Sequence, residues 1–87
     1  MSEASWNLDV SARAKRDLRR LDPSVSTRVV AALERLAAGD PLDERKLKGA
    51  DEWRIRVGDW RVRFTRDLET RTIHVTHVLP RGRAYDR

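Results

Sequence analysis

Apolar and cationic residues alternate without a break from Trp53 to Phe64, in the run WRIRVGDWRVRF. A period of two puts successive side chains on opposite faces of a strand, so the run predicts two strands with one packed and one open side. Gly58-Asp59 at its centre, with glycine first, has the composition of a two-residue type II′ hairpin turn. Folding on that turn sets Val57 opposite Trp60, Ile55 opposite Val62 and Trp53 opposite Phe64, which makes Trp53 and Trp60 packing residues. The other face then sets Arg56 opposite Arg61 and Arg54 opposite Arg63.

The same kind of pattern organises the rest of the chain. SWNLDV alternates Trp6, Leu8 and Val10 against polar neighbours and predicts a first strand. Ala14, Leu18 and Leu21 recur at helical spacing behind Ser11, a candidate N-cap. Asp22-Pro23 opens a second helix with Val25, Val29, Ala32, Leu33 and Leu36 on one stripe, closed by Gly39 with Pro41 just beyond. DPLDERKLKGADE is polar and reads as a connection. After a turn around DLET comes a last strand from Arg71 to Leu79, whose pairing Pro80 is expected to end. The expectation is an α+β fold of order β-α-α-β-β-β, with two helices packed on one face of a small, mainly antiparallel sheet. It forms a single domain over residues 1–87. Strict alternation along the last strand sends Ile73, Val75 and His77 to the packed face, and Thr72, His74 and Thr76 to the open one.

Composition adds direction. The 87 residues are enough for one domain with a modest core, and the absence of cysteine excludes disulfides and thiolate metal sites. No apolar run approaches the roughly 18 residues of a membrane span, and MSEASWNLDV has no secretory pattern, so a cytoplasmic protein is expected. Charged residues make up 38% and the net charge is +5, which favours a polyanionic partner. Arg13, Lys15, Arg16, Arg19 and Arg20 fit the solvent side of the first helix. The open face is different, because like charges directly across a strand pair are destabilising. It would carry Arg54, Arg56, Arg61, Arg63 and His74, with Arg81, Arg83 and Tyr85 of the tail RGRAYDR in reach. Lys46 and Lys48 would add loop contacts to RNA.

Three stretches carry a family resemblance: AKRDLRRLDPSVSTRVVAALERLA, KLKGADEWRIRVGDWRVRF and the ending RGRAY. Together they resemble the RelE/ParE superfamily of toxins from bacterial type II toxin–antitoxin pairs, in its RelE-like branch. The resemblance spans nearly the whole chain. It implies a RelE-like fold, a cognate acidic RelB-like antitoxin, and cleavage of mRNA in the ribosomal A site. Carried over by motif, the family's catalytic positions fall on Arg54 and Arg56 before the turn, Arg61 after it, and Arg81 and Tyr85 in the tail, with Arg83 a second choice for the tail arginine. Many RelE-type chains have lysines at the first two positions and a histidine before the tail arginine, where this chain has arginines and Pro80. Arginine does not shed its proton. The general base is therefore open, with His74 one candidate.

The implied chemistry suits such a face. In RNA cleavage by its own 2′-OH, negative charge builds on the phosphoryl oxygens, and fixed cations aimed there lower the barrier. Guanidinium forks match phosphate oxygens bidentately. Tyr85 could stack on an unstacked base or take part in proton transfer. No acidic cluster has metal-ligand spacing, so no metal or other cofactor is expected. Arg61, placed on the open face, is expected to bury little apolar area, so that its truncation would leave the fold intact or slightly more stable. Two alternatives stand beside the metal-independent mRNA endonuclease. One is a ParE-like poison of DNA gyrase; the other is a basic nucleic-acid-binding module without catalysis.

Overall fold

The computed structural model describes residues 5–40, 42, 44–46 and 52–80. The chain runs β1 (Asn7–Val10), α1 (Ala12–Arg19), α2 (Pro23–Ala37), β2 (Glu44–Lys46), β3 (Trp53–Val57), β4 (Trp60–Asp67) and β5 (Thr72–Pro80). One sheet holds all five strands in the order β1-β5-β4-β3-β2. β1 runs parallel to β5, and the other neighbouring pairs are antiparallel. The β-α-α-β-β-β order is thus extended by one short strand. Glu44–Lys46, inside the polar connection, joins the edge of β3. Three charged residues show no apolar alternation, so only the pairing marks them as strand.

The helix boundaries follow local chemistry. The Ser11 hydroxyl accepts the Ala14 N–H at 3.0 Å, which satisfies one of the orphan donors of the first turn. α2 starts with Pro23 at its first position, where a missing N–H costs nothing. Its end is a Schellman motif: Gly39 N–H bonds the Leu36 carbonyl and Asp40 N–H the Arg35 carbonyl. Gly39 has φ +85°, the left-handed conformation that motif requires.

The core lies between the helices and one sheet face. Ala14, Val29, Leu33 and Leu36 from the helices meet Ile55, Val62, Phe64, Ile73, Val75 and Val78 from the strands, all at most 3% exposed. The β3–β4 register is the expected one, from Trp53 opposite Phe64 to Val57 opposite Trp60. Gly58 has φ +59° and Asp59 a negative φ, the signs of a type II′ turn.

β5 departs from strict alternation. Its buried residues are Ile73, Val75 and Val78, so two residues separate the last pair where a regular strand has one. Opposite β4, Phe64 pairs with Val75 and Arg63 with His77, leaving Thr76 as the extra residue of a β-bulge. β1 ends at Val10, opposite Val75, and the start of α1 takes over that flank of β5. There the Ser11 hydroxyl donates to the Thr76 carbonyl at 3.1 Å and the Asp17 carboxylate accepts the Val78 N–H at 3.2 Å. The consequence is a correction: His77 does not belong to the core. Since Val78 is buried, its neighbour His77 points to the open face.

Candidate functional site: an arginine face in register

Strand pairing lines up four residues across the open face. Arg45 on β2 is opposite Arg54 on β3, Arg54 is opposite Arg63 on β4, and Arg63 is opposite His77 on β5. With strands about 4.8 Å apart, this row crosses about 14 Å. The next row holds Arg56, Arg61 and Leu79. Alternation along the chain assigns neither Arg45 nor His77 to this face. The first sat in a segment without strand periodicity; the second was hidden by the bulge, whose only trace in the sequence is the spacing of Val75 and Val78.

Arg61 corrects a second expectation. It is 3% exposed, whereas Arg56 opposite is exposed. β4 is the central strand, so Arg61 has a neighbour in register on each side, Arg56 and Leu79. A guanidinium in that position has lost most of its water, and its aliphatic stem packs rather than projects. Arg54 and Arg63 are half-buried.

His74 also reaches the open face, one row along the sheet, opposite Thr65. Its Nδ1 lies 2.8 Å from the Asp9 carboxylate across the parallel β1–β5 pair. Lys46 is exposed but in register with Trp53, so alternation turns it away from the side Arg45 takes. Lys48, Arg81, Arg83 and Tyr85 lie outside the described residues.

Beside the bulge, the Thr76 hydroxyl joins three groups. Its Oγ1 is 3.2 Å from the Glu52 carboxylate, 3.2 Å from the Arg63 carbonyl and 3.1 Å from His77 Nδ1. The opposite side of the sheet has its own cation. Arg66 forms a 2.8 Å ion pair with Glu44 and lies within 5.6 Å of the ring centres of Phe64, Trp53 and Trp6. A groove of about 330 Å³ runs between α2 and β3, with Ala31, Ala32, Leu42 and Val57 among its walls and Arg28, Arg35 and Arg56 at its rim.

A family model described as the ParE toxin of the type II toxin–antitoxin system parDE matches residues 8–85. The chain belongs to this family of toxins. Solved structures share the fold. The RelBE2 toxin–antitoxin complex of Mycobacterium tuberculosis contains a chain superposing with TM-score 0.81 at 24% identity, over 93% of this chain and 97% of that one. The RelE–RelB complex of Pyrococcus horikoshii gives 0.76 at 23% identity, over 91% and 98%. The RelBE complex of Escherichia coli gives 0.71 at 24% identity, over 87% and 96%. No curated protein matches the toxin by sequence. No helix among the described residues is long and apolar enough to cross a membrane.

Proposed function

We propose that this toxin is a metal-independent mRNA endonuclease acting in the cytoplasm on ribosome-bound message. The observation that supports this most is the register of the arginine face. Arg45, Arg54 and Arg63 form one line, and Arg56 and Arg61 a second, on a surface the helices leave open. Opposed arginine pairs set guanidinium forks on both sides of a phosphate, whose oxygens they match bidentately. The resemblance to RelE-like nucleases supports messenger RNA as the anion. Arg54, Arg56 and Arg61 are assigned to transition-state charge, with Arg81 and Tyr85 joining from the tail. Arg63, His74, Lys48 and Arg83 hold the RNA strand, while Lys46, on the other side of β2, is not among them. The 2′-OH attacks the adjacent phosphorus and the 5′-oxygen leaves, giving a 2′,3′-cyclic phosphate.

The antitoxin partner follows from the family and the company it keeps. The matching structures from M. tuberculosis, P. horikoshii and E. coli are complexes with an antitoxin. The groove between α2 and β3 suits an acidic RelB-like segment, with an apolar side chain on its walls and carboxylates at Arg28, Arg35 and Arg56. Arg56 borders both the groove and the open face, so an occupant of the groove would also compete for the RNA site.

The family description favours a second reading, a ParE-like poison of DNA gyrase. Mapping mRNA ends on programmed ribosomes, beside a gyrase supercoiling assay, separates the two. New 5′ ends within the A-site codon, with supercoiling unaffected, are the expected result. Inhibited supercoiling with intact message would overturn the nuclease reading.

A further inference from the structure

The nuclease reading needs a proton acceptor, and none of the arginines can supply one. We infer that His77 is that acceptor, held in the required tautomer by a Glu52–Thr76–His77 chain that the bulge in β5 assembles. The inference rests on the nuclease reading above and adds to it the group that activates the 2′-OH.

Proton counting around Thr76 fixes the tautomer. The Glu52 carboxylate and the Arg63 carbonyl are acceptors only, and both are 3.2 Å from the single Thr76 hydroxyl. That hydroxyl has one proton to give. If His77 Nδ1 carried a lone pair, it would compete for the same proton at 3.1 Å, and three acceptors would share one donor. With a proton on Nδ1 the cluster closes. Nδ1–H donates to Thr76 Oγ1, and Thr76 passes its own hydrogen to Glu52 or to Arg63. Nε2 is then left with its lone pair. The other ring nitrogen of a histidine is set by the hydrogen bond the first one makes.

Position completes the case. His77 is in register with Arg63, next to Arg54, so its ring is at the end of the row assigned to the phosphates. Bulges are common where a side chain must be re-aimed near a site. Were Thr76 paired in a regular strand instead of set out in the bulge, His77 would take the parity of Val75 and face the core. The charged groups that the packed elements bring around it are Arg63 of β4, Arg54 of β3, Glu52 preceding β3, and Asp17 of α1. His74 on the same strand is already engaged by Asp9 at 2.8 Å.

The step is a transesterification. His77 Nε2 takes the proton of the 2′-OH as that oxygen bonds to phosphorus. The bond from phosphorus to the 5′-oxygen breaks, and the leaving oxygen takes a proton from solvent. The imidazolium then returns its extra proton to solvent. No water is consumed and nothing is oxidised. Glu52 and Thr76 are positioning residues, since they act through the ring.

The test uses the full-length toxin with a programmed ribosome for cleavage and a short labelled single-stranded RNA for binding. His77→Gln should lower the cleavage rate by 10² or more while RNA affinity changes less than about twofold. Thr76→Val should cost about tenfold and Thr76→Ser should restore the rate. Independently of activity, ¹⁵N spectra of the imidazole should show Nδ1–H in the parent, with that preference lost in Thr76→Val. A dominant Nε2–H form in the parent would overturn the chain. If the parent cleaves and His77→Gln cleaves equally fast, the inference fails while the nuclease reading stands. If the parent itself leaves message intact, both fail.

Discussion

Arg56 and Arg61 face each other across the β3–β4 ladder, yet one is exposed and the other is 3% exposed. Two arginines in one register pair therefore do different physical jobs. Arg56→Ala removes a solvated charge, so its stability should stay within about 0.5 kcal/mol of the parent. Arg61→Ala removes a packed stem and a desolvated cation, and should cost about 1–3 kcal/mol. Cleavage should fall of order 10²-fold in both, because the proposed function sets both charges beside the scissile phosphate. Urea denaturation beside message cleavage checks the pair. Equal stability of the two variants would show that Arg61 burial has no energetic weight.

Gly58 opens the β3–β4 turn at φ +59°, where a side chain is strained. A Cβ there would also lie 2.8 Å from Arg28 Nη2. The contact is with the far end of a flexible side chain that can swing away, so the backbone term decides. Gly58→Ala should destabilise by about 1–2 kcal/mol. Adding Arg28→Ala to it should recover only a small part in the same melting experiment. Full recovery would shift the cause from the backbone to the contact.

Arg66 is the cation whose role is structural. Its guanidinium pairs with Glu44 at 2.8 Å and lies 5.1 Å from the Phe64 ring centre, with Trp53 at 5.4 Å. Arg66→Ala takes the cation from the Phe64 and Trp53 faces, leaves Trp6 to Arg71 at 4.8 Å, and removes the ion-pair partner of the mostly buried Glu44 carboxylate. The expected cost is about 2–4 kcal/mol. Arg66→Lys keeps the charge but lacks the planar fork and should recover about half. RNA binding should be unchanged in the lysine variant, since Arg66 has the parity of the packed face.

The contrast among these arginines shows what the sequence could and could not reveal. Wherever a strand alternates regularly, as from Trp53 to Phe64, parity alone gave the register, the turn and the face of each arginine. The helix pair was legible because Ser11, Pro23 and Gly39 mark its ends by chemistry local to them. Arg45 was not legible: Glu44–Lys46 is a strand only because β3 offers it an edge to pair with. Nor was the burial of Arg61, because parity names a face but not the depth within it. His77 failed for a third reason. Period-two counting carries an error through every residue after an insertion, and the bulge is held by Ser11 and Asp17, some 60 positions away in sequence.

That bulge can be tested by deletion. Removing Thr76 joins Val75 to His77, and the resulting order pairs Phe64 with Val75, Arg63 with His77 and Val62 with Val78 without interruption. Every buried side chain of β5 keeps its face, so the core survives. The losses are the bonds that Thr76 itself makes: its carbonyl from Ser11, and its hydroxyl with Glu52, the Arg63 carbonyl and His77. These half-buried bonds are worth about 1 kcal/mol each, and the one hydroxyl proton serves Glu52 or the Arg63 carbonyl but not both, so the deletion should cost about 3 kcal/mol at most and leave a cooperative transition. Deleting Thr65 from β4 is the control. That strand has no spare residue there, so the cut would turn Arg66 away from Trp53 and Glu44 and swap the faces of the residues that follow. It should cost more than about 3 kcal/mol, since it combines the loss of the Arg66 cluster with a register slip. If the two deletions prove equally damaging in denaturant titrations, Thr76 is not a spare residue in the ladder, and the placement of His77 on the arginine face loses its basis.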